Sequence, residues 1–386
     1  MHIGINAWFL RQDTTGSGQY LCHLLRELVV VDESHRYTLL LSPAQPGHAL
    51  LPDLPQERFK RVSLSSPFDG WHDNLAKLWF EQIAVPHAAR RLDLNLLHVP
   101  YWGSPLRPTT PTVVTVHDII PFLLPAYQGG ILGRAYTRLV AAATRRADLI
   151  LTDSVASKED IVRHLDIPAY RVRPVLLAPD ARFRPMADPT ALAALRQKYG
   201  LPDRYLLYLG GFDQRKNVPT ILQAFRQLLN HQAQARLVIA GRLPKEDSAF
   251  FPDPRRIVQE LGLGEAVQLI GWVPDEEKPA LYSGAAAFVF PSHYEGFGLP
   301  PLEAMACGIP AIGSVAASLP EVIGDGGLLV PPGDADALAE AMSRLWHDTE
   351  LRATLGQRAL AHAARFSWSK TAHETLQTYK EVISSP

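Results

Sequence analysis

Short apolar runs alternate with amphipathic, helix-like segments through most of this chain. The alternation begins with an apolar run at residues 3–9, breaks over residues 177–189, which are rich in Pro and Asp, and restarts at Tyr205. Alternating strands and helices favour a parallel sheet that is covered by helices. Because 386 residues are long for one hydrophobic core, the pattern predicts an α/β fold of two domains, with the boundary after residue 184.

The composition is that of an ordinary globular protein. The net charge of −1 gives no argument for a nucleic-acid partner. Cys22 and Cys307 lack the spacing of a metal site, and we expect them to pack as small hydrophobic residues in a reducing compartment. The N-terminal run lacks the basic region of a signal peptide, and no apolar run is long enough to span a bilayer. These features predict a cytoplasmic protein.

Arginines and aromatic residues are grouped along two helix-like segments, at residues 71–91 and 132–146. Such a face can rest on an anionic membrane surface, although an ordinary solvated helix face is the commoner explanation. Peripheral contact with the inner membrane face therefore stays open beside the cytoplasmic expectation.

The most informative stretch covers residues 292–310 and reads S-H-Y-E-G-F-G-L-P-P-L-E-A-M-A-C-G-I-P. An apolar run leads into a turn where Gly296 and Gly298 let a ligand approach the backbone closely. Two prolines then suit the first positions of a helix, whose N-terminus favours an anion. Glu295 and Glu303 lie in the same stretch, and carboxylates accept hydrogen bonds from sugar hydroxyls. A nucleotide sugar would meet both requirements, whereas the plainer alternative is a proline-capped helix with solvated acids.

A second charged loop follows another predicted strand. Gly210 and Gly211 end that strand, and Arg215 and Lys216 then precede a helix that begins near Asn217. An arginine fork and a lysine point charge suit a diphosphate. Both cations lie near a helix N-terminus, where an anion is favoured and a bare cation is not. The pattern indicates a bound anion, with two solvated basic residues in a loop as the alternative.

Gly16 and Gly18 form a turn after the first predicted strand. The turn lacks the third glycine of the dinucleotide fingerprint G-x-G-x-x-G, and no acidic residue ends the second strand. These absences argue against an NAD-dependent enzyme. A tight strand–helix turn that needs glycine for its geometry alone explains the pattern equally well.

His117 and Asp118 lie at the C-terminal end of a predicted parallel strand, which is where such sheets bind ligands. Taken alone, the pair is explained as a strand-end histidine and an aspartate that caps the next turn. Tyr101 and Trp102 follow another predicted strand. Aromatic side chains in that position stack on sugars in some proteins and cover a core in others.

Four of these stretches, taken in order, resemble the motifs of retaining GT-B glycosyltransferases of the GT4 type, also called glycosyl transferases group 1. E-G-F-G-L-P-P-L-E matches the signature E-x7-E, G-G-F-D-Q-R-K-N matches G-G-x-x-x-R-K-N, and T-V-H-D-I-I-P matches H-D-x-x-P. T-G-S-G-Q-Y matches G-G-x-G-x-Y at Gly16, Gly18 and Tyr20, but Thr15 replaces the first glycine. The resemblance implies two Rossmann-like α/β domains facing across a cleft: residues 1–184, joined by the final helix at 368–386, and residues 185–367.

The resemblance also implies roles for individual residues. Glu295 and His117 are expected at the donor sugar, Glu303 at the nucleotide ribose, and Arg215 and Lys216 at the donor diphosphate. The other implied donor contacts are Gly16 at the phosphates, Val273 at the base, and the backbone of Phe297, Gly298 and Leu299 at the sugar and diphosphate. The acceptor is expected on the first domain, where Asp118, Tyr101 and Trp102 are candidates.

The implied activity is transfer of a hexose from a nucleotide-diphosphate sugar to a hydroxyl of a glycan or lipid-linked glycan, with retention of the anomeric configuration. GDP-mannose is the favoured donor, and His117, Glu295, Arg215 and Lys216 are the expected catalytic residues. No metal or other cofactor is expected, because the two cations and the helix start can stabilise the leaving diphosphate. Asp334 and Asp336 resemble the D-x-D metal motif of another glycosyltransferase fold, but they open a helix, so helix capping explains them better.

Two alternatives from other classes stay open. One is a nucleotide-sugar-binding subunit of a glycan-assembly complex that has lost catalysis, which the intact Glu295, Lys216 and His117 argue against. The other is the NAD-dependent enzyme that the Gly16–Gly18 turn suggests. A phosphorylase or epimerase of the same fold fits the R-K-N and E-x7-E pair less well than a transferase does.

Overall fold

A computed structural model of the chain describes residues 1–12, 15–43, 54–186 and 188–384. The chain divides into two compact units. The first unit contains Met1–Leu177 and Trp368–Pro386, and the second contains Ala178–Ser367.

The first unit is built on a seven-stranded sheet in which every neighbouring pair is parallel. Its strands are β1 His2–Asn6, β2 Arg36–Leu41, β3 Phe59–Ser63, β4 Leu96–Val99, β5 Thr112–Thr115, β6 Leu149–Thr152 and β7 Val172–Pro174, in the order β3-β2-β1-β4-β5-β6-β7. The connecting helices are α1 Gly16–Val31, α2 Asp73–Trp79, α3 Val85–Arg91, α4 Ile120–Leu123, α5 Ile131–Thr144 and α6 Val155–Leu165, with a π-helical turn at Phe80–Ala84 between α2 and α3. The central strands are buried throughout, as expected for a parallel sheet covered by helices.

The second unit has a six-stranded parallel sheet. Its strands are β8 Leu206–Leu209, β9 Leu237–Ala240, β10 Val267–Gly271, β11 Ala287–Phe290, β12 Ala311–Ser314 and β13 Gly327–Val330, in the order β10-β9-β8-β11-β12-β13. The helices are α7 Pro189–Tyr199, α8 Val218–His231, α9 Pro254–Glu260, α10 Lys278–Ser283, α11 Leu299–Ala306, α12 Leu319–Ile323, α13 Ala335–His347 and α14 Thr349–Ala363.

Strand order reverses once in each sheet, between β1 and β4 in the first and between β8 and β11 in the second. At such a point the two following loops diverge to opposite faces and leave a crevice beyond the carboxyl ends of the strands. The loop after β8 carries Arg215 and Lys216, and the loop after β11 carries Glu295. The topology therefore brings together two motifs that lie far apart in the sequence.

The final helix, α15 Trp368–Ser384, packs within the first unit against α1, β5 and β6. The hydroxyl of Tyr379 lies 2.6 Å from Nδ1 of the buried His98, whose Nε2 lies 2.9 Å from the hydroxyl of Thr115. Burial lowers the pKa of His98 to about 3, so the ring is neutral and can serve as donor and acceptor at once. These contacts attach the last helix to β4 and β5.

The unit boundary lies at Leu177–Ala178, earlier than the boundary predicted after residue 184. The physical reason is Phe183, which is nearly buried and packs edge-on against Tyr282 of α10, with 5.9 Å between the ring centroids. The Pro- and Asp-rich composition marks the break in the pattern, but it does not show on which side an aromatic anchor will pack.

Two further expectations concern the cysteines and the membrane. Cys22 and Cys307 are both buried and neither forms a disulfide, which confirms that they pack as small hydrophobic residues. Across the part of the chain that the structure describes, every helix is too short or too polar to cross a bilayer.

Candidate active site

Two cations and one carboxylate meet where strand order reverses in the second sheet. A short 3-10 turn, Gln214–Lys216, follows β8, and the loop at residues 291–298 follows β11. Nη1 of Arg215 lies 2.6 Å from Oε2 of Glu295, and Nζ of Lys216 lies 2.8 Å from its Oε1. The three side chains are only 10–13% exposed, so water screens these charges far less than it screens surface ion pairs.

Hydrogen bonds to backbone carbonyls connect the two loops. Nη1 of Arg215 also donates to the carbonyl of Tyr294 at 2.7 Å, and the amide of His293 donates to the carbonyl of Arg215 at 2.8 Å. Asn217 adopts a left-handed conformation with φ of 59°, and its side-chain amide donates to the carbonyl of Pro291 at 3.2 Å. Asparagine tolerates this conformation better than most residues, which gives the R-K-N motif a local structural reason.

Glu295 is ionised in this arrangement. Burial alone would raise the pKa of its carboxyl, but the charges of Lys216 and Arg215 outweigh burial and hold that pKa below its usual range. Asp213 adds a second carboxylate, with its Oδ1 3.5 Å from Nε of Arg215. Both basic groups are thus paired with carboxylates, so any anion that bound there would compete with carboxylates for both cations.

Ser318 and the left-handed backbone conformation of Gly298 hold the glycine-rich turn before α11. Gly298 has φ of +120°, which side chains rarely allow, and Ser318 donates its hydroxyl to the carbonyls of Glu295 and Phe297. Pro300 and Pro301 follow Leu299 and have no N–H to offer. The amide of Leu302 is already bonded to the carbonyl of Gly298 at 3.4 Å. The helix start therefore presents fewer donors than its N-terminal position alone suggests, with Leu299 as the first helical residue that carries one.

Glu303 lies on α11 in a different environment from Glu295. Its Oε2 accepts a hydrogen bond of 2.9 Å from the hydroxyl of Tyr282. Burial raises the pKa of the Glu303 carboxyl, although the Lys278 charge and the Tyr282 hydrogen bond oppose the shift. Val273, the candidate base contact, is buried directly after β10, and the neighbouring Trp272 is exposed.

The first unit places His117 beyond the end of β5. Nδ1 of His117 lies 2.8 Å from Oδ2 of Asp153, a buried residue that follows β6. Tyr20 of α1 packs its ring edge-on against the imidazole, with 4.9 Å between the centroids. Burial disfavours the imidazolium, but the Asp153 carboxylate, together with smaller contributions from Asp118 and the backbone of Pro100, outweighs burial and raises the pKa of His117 above its ordinary value.

Asp153 is a residue that reasoning from the sequence missed. The available signal was the polar ending of a predicted strand, because T-D-S at residues 152–154 follows the apolar run of β6. The neighbouring Ser154 is the N-cap of α6 and accepts a hydrogen bond from the amide of Ser157.

The three candidate acceptor residues each have a structural contact. Oδ1 of Asp118 accepts a hydrogen bond of 2.9 Å from the amide of Ile120, at the turn that opens α4. Tyr101 is buried and its hydroxyl accepts from the side-chain amide of Asn6 at 2.9 Å. The half-buried Trp102 donates its ring N–H to the hydroxyl of Thr144 at 2.9 Å. Their contact with an acceptor stays a prediction.

The capping interpretation of Asp334 is confirmed. Asp334 is the N-cap of α13, and its side chain accepts a hydrogen bond of 2.9 Å from the amide of Ala337. Asp336 lies in the first turn of the same helix, where a negative charge is favourable, and it accepts from the side-chain amide of Gln227 at 2.7 Å.

The two glycines of the first loop are constrained differently. Thr15 is the N-cap of α1, and its hydroxyl accepts a hydrogen bond from the amide of Gly18 at 3.1 Å while donating to the carbonyl of Gln12 at 2.7 Å. A Cβ on Gly18 would lie 2.0 Å from that carbonyl oxygen, whereas a Cβ on Gly16 would meet nothing within 4 Å. Gly18 is required by the fold, and Gly16 is not.

We expect Gly18→Ala to destabilise the protein by on the order of 3 kcal/mol, because the methyl group overlaps a backbone oxygen that cannot move freely. Gly16→Ala is the matched control and should change the free energy of unfolding by no more than about 0.5 kcal/mol. Urea unfolding measures both values, and equal midpoints for the two variants would contradict the assignment. If Gly16 lies at the donor phosphates, Gly16→Ala should weaken donor binding without loss of stability.

Comparison with known proteins places these motifs in a family. The family model described as Glycosyltransferase Family 4 matches residues 14–176, and the model described as Glycosyl transferases group 1 matches residues 193–362. The chain is 33% identical to the O-antigen chain mannosyltransferase B of Escherichia coli, over 96% of this chain and 97% of that protein.

Solved structures show the same fold. Sucrose-phosphate synthase from Thermosynechococcus elongatus matches with a TM-score of 0.77 and 24% identity, and the match covers 100% of both chains. HepE from Anabaena, in complex with UDP-glucose, matches with a TM-score of 0.75 and 20% identity over 99% of this chain and 100% of that one. The chain therefore belongs to the glycosyl transferases group 1, or GT4-type, family of glycosyltransferases and has the GT-B fold.

Proposed function

We propose that this glycosyltransferase moves mannose from GDP-mannose to a hydroxyl of a glycan or lipid-linked glycan, with retention and without a metal ion. The proposal rests on one observation. Arg215 and Lys216 form buried ion pairs with Glu295 at the point where strand order reverses in the second sheet. The choice of mannose is supported by the Escherichia coli relative, whose name is that of a mannosyltransferase. Polysaccharide synthesis follows from the same similarity.

In the proposed donor complex the diphosphate takes over the two cations from Glu295. Arg215 offers a planar fork of donors and Lys216 a compact charge, which together match two phosphate groups. Glu295 stays ionised next to them, so its oxygens can accept hydrogen bonds from the hydroxyls of the sugar. We assign Glu303 to the ribose hydroxyls, Val273 to the base, and the backbone of Phe297, Gly298 and Leu299 to the sugar and diphosphate.

The same cations would stabilise the leaving group. When the bond from the anomeric carbon to the phosphate oxygen breaks, its electron pair stays on the diphosphate. Fixed positive charges in a buried site stabilise that developing charge without reorganisation. Arg215 and Lys216 thus supply the charge that a metal ion supplies in other transferases, which supports a metal-independent reaction.

Retention is best explained by attack from the face that the diphosphate leaves. A double displacement would need a carboxylate as nucleophile on the opposite face of the sugar. Glu295 is the nearby carboxylate, but it lies beside the two cations that we assign to the diphosphate, and therefore on the side of the leaving group and not on the opposite face. We therefore propose that the acceptor oxygen bonds to the anomeric carbon while its proton passes to an oxygen of the leaving phosphate.

The first unit would supply His117 to the transferred sugar and the acceptor contacts Asp118, Tyr101 and Trp102. We place the protein in the cytoplasm, where nucleotide sugars are available, with peripheral contact at the inner membrane face if the acceptor is lipid-linked. The arginine- and aromatic-rich segments at residues 71–91 and 132–146 support that contact.

Thermal unfolding with a panel of ligands tests the proposal: GDP, UDP, ADP, GDP-mannose, UDP-glucose, UDP-N-acetylglucosamine and NAD, each with and without EDTA. A ligand at one hundred times its dissociation constant stabilises the folded state by about 2.7 kcal/mol, which is a shift of several degrees. We expect GDP and GDP-mannose to stabilise the protein and EDTA to change nothing. Stabilisation by NAD alone would overturn the proposal, and binding of GDP-mannose without any transfer would favour the non-catalytic subunit.

A further inference from the structure

His117 and Asp153 face each other because of the register of their strands. Thr115 of β5 pairs with Leu151 of β6, so the residues two positions further along both strands lie side by side beyond the edge of the sheet. There Nδ1 of His117 and Oδ2 of Asp153 are 2.8 Å apart. A ring nitrogen at hydrogen-bond distance from an ionised carboxylate must carry the hydrogen atom, so the contact places a proton on Nδ1.

The rest of the surroundings hold the histidine in place and leave its second nitrogen uncommitted. Ser157 donates its hydroxyl to the backbone carbonyl of His117 at 3.2 Å, and Tyr20 packs edge-on against the ring. Asp153 is almost completely buried. Within the described ranges, Nε2 of His117 is buried and meets no partner at good hydrogen-bond geometry, although a backbone contact with Pro100 also favours the imidazolium. The ring is thus held firmly at Nδ1 and only weakly elsewhere, which leaves Nε2 able to bind a ligand.

We propose that Asp153 is a positioning residue for sugar transfer, which orients His117 and favours the imidazolium form, whose Nε2–H donates to a hydroxyl oxygen of the transferred sugar. The inference rests on the proposed function, because it takes the sugar as the partner of Nε2. It goes beyond the proposed function in two ways. It gives a role to Asp153, which lies outside the matched motifs, and it assigns His117 as a hydrogen-bond donor and not as a base.

The charges that face the ring support a protonated state. Asp153, from the end of β6, and Asp118, from the same chain segment as His117, both favour the imidazolium. Tyr20 is neutral at physiological pH, because burial raises the pKa of its hydroxyl. His98 of β4 is neutral as well, since burial lowers its pKa to about 3. Burial of His117 itself opposes protonation, but the pKa still lies above its ordinary value.

The sign of the pH dependence follows from this assignment. The imidazolium exists below the pKa of His117 and is lost as the pH rises through that value. If Nε2–H is the acting donor, kcat/KM for the donor should therefore fall on the alkaline side with that pKa. A histidine that acted as a base would instead lose activity as the pH falls.

Asp153→Asn separates charge from geometry, because the amide oxygen can still accept from Nδ1–H. We expect the pKa of His117, measured by NMR titration of its ring, to fall by about one unit or more. Asp118→Asn is the matched control and should lower the pKa of His117 less, because the Asp118 charge contributes less to the raised pKa than Asp153 does. Turnover of Asp153→Asn should fall by about 10²-fold above the lowered pKa, with little change in KM for the donor.

The decisive signature is recovery at low pH. The defect of Asp153→Asn should shrink as the pH falls below the lowered pKa, and Asp153→Glu, which keeps the carboxylate, should retain more activity. A purely structural role predicts the same defect at every pH. An unchanged His117 pKa in Asp153→Asn would overturn the inference, as would full transfer by His117→Ala.

The wild-type profile provides a test if Asp153→Asn does not fold. An activity that falls on the acid side with the NMR pKa of His117 would overturn the donor role without any variant. The proposed function fails on a separate result, namely the lack of stabilisation by every nucleoside diphosphate. The two failures are therefore distinguishable.

Discussion

Replacing Lys216 with alanine is expected to lower transfer from the nucleotide-sugar donor by about 10²–10³-fold, because it removes a fixed positive charge from the leaving diphosphate. Nζ of Lys216 lies 2.8 Å from Oε1 of Glu295 in a site that is largely shielded from water. The variant leaves Glu295 with Arg215 as its remaining cation, at 2.6 Å, so the buried carboxylate is not left unpaired. We expect the fold to survive with a loss of about 1–3 kcal/mol in the free energy of unfolding.

Single-turnover kinetics with saturating donor, together with urea unfolding, measures both effects. Lys198→Ala is a matched control, because Lys198 also pairs with a glutamate of the second unit, Glu277, but lies half exposed away from the site. Water and salt screen an exposed ion pair, so this control should keep both activity and stability. Near-full transfer by a folded Lys216→Ala variant would show that the diphosphate is held elsewhere.

Glu295→Gln is expected to change binding and turnover in opposite directions. Glu295 competes with the diphosphate for Arg215 and Lys216, so removing its charge should tighten binding of the nucleoside diphosphate by about tenfold, or 1.4 kcal/mol. Glutamine keeps the size of the side chain and can still accept a hydrogen bond from Nζ of Lys216. Turnover should nevertheless fall by about 10²-fold, because the charged acceptor that we place at the sugar is gone.

Isothermal calorimetry with GDP, compared with single-turnover rates, separates the two effects. Glu277→Gln serves as the control, since it removes the same charge from a lysine pair on the surface of the same unit. It should leave both the affinity and the rate unchanged. Weaker GDP binding by Glu295→Gln would mean that Glu295 organises the cations and does not compete for them.

The positions of the ligand-binding motifs along the chain could be predicted from the sequence because each motif follows a strand. The loop after β8 and the loop after β11 were both expected to bind phosphate, and the sheet order makes them neighbours. A local pattern also predicted the N-cap Asp334, because a short polar side chain before a helical run commonly caps the helix.

Pairing across strands could not be predicted in the same way. Glu295 was expected at the sugar, and its ion pairs with Arg215 and Lys216 join residues separated by about 80 positions. Asp153 was missed because nothing near it in the sequence indicates a histidine 36 positions earlier. Tyr101 and Trp102 follow β4 as expected, but only the packing shows that Tyr101 is buried. Such contacts depend on strand order and register, which are properties of the whole sheet.

The central claim is that Arg215 and Lys216 bind the donor diphosphate, and one calorimetric comparison tests it most directly. The nucleoside diphosphate that stabilises the protein most and its monophosphate are titrated into the wild type and into Lys216→Ala. We predict that the wild type prefers the diphosphate by about tenfold or more, equal to 1.4 kcal/mol, and that Lys216→Ala loses most of this preference. Equal preference in both proteins would contradict the claim, because the second phosphate would then be bound without Lys216.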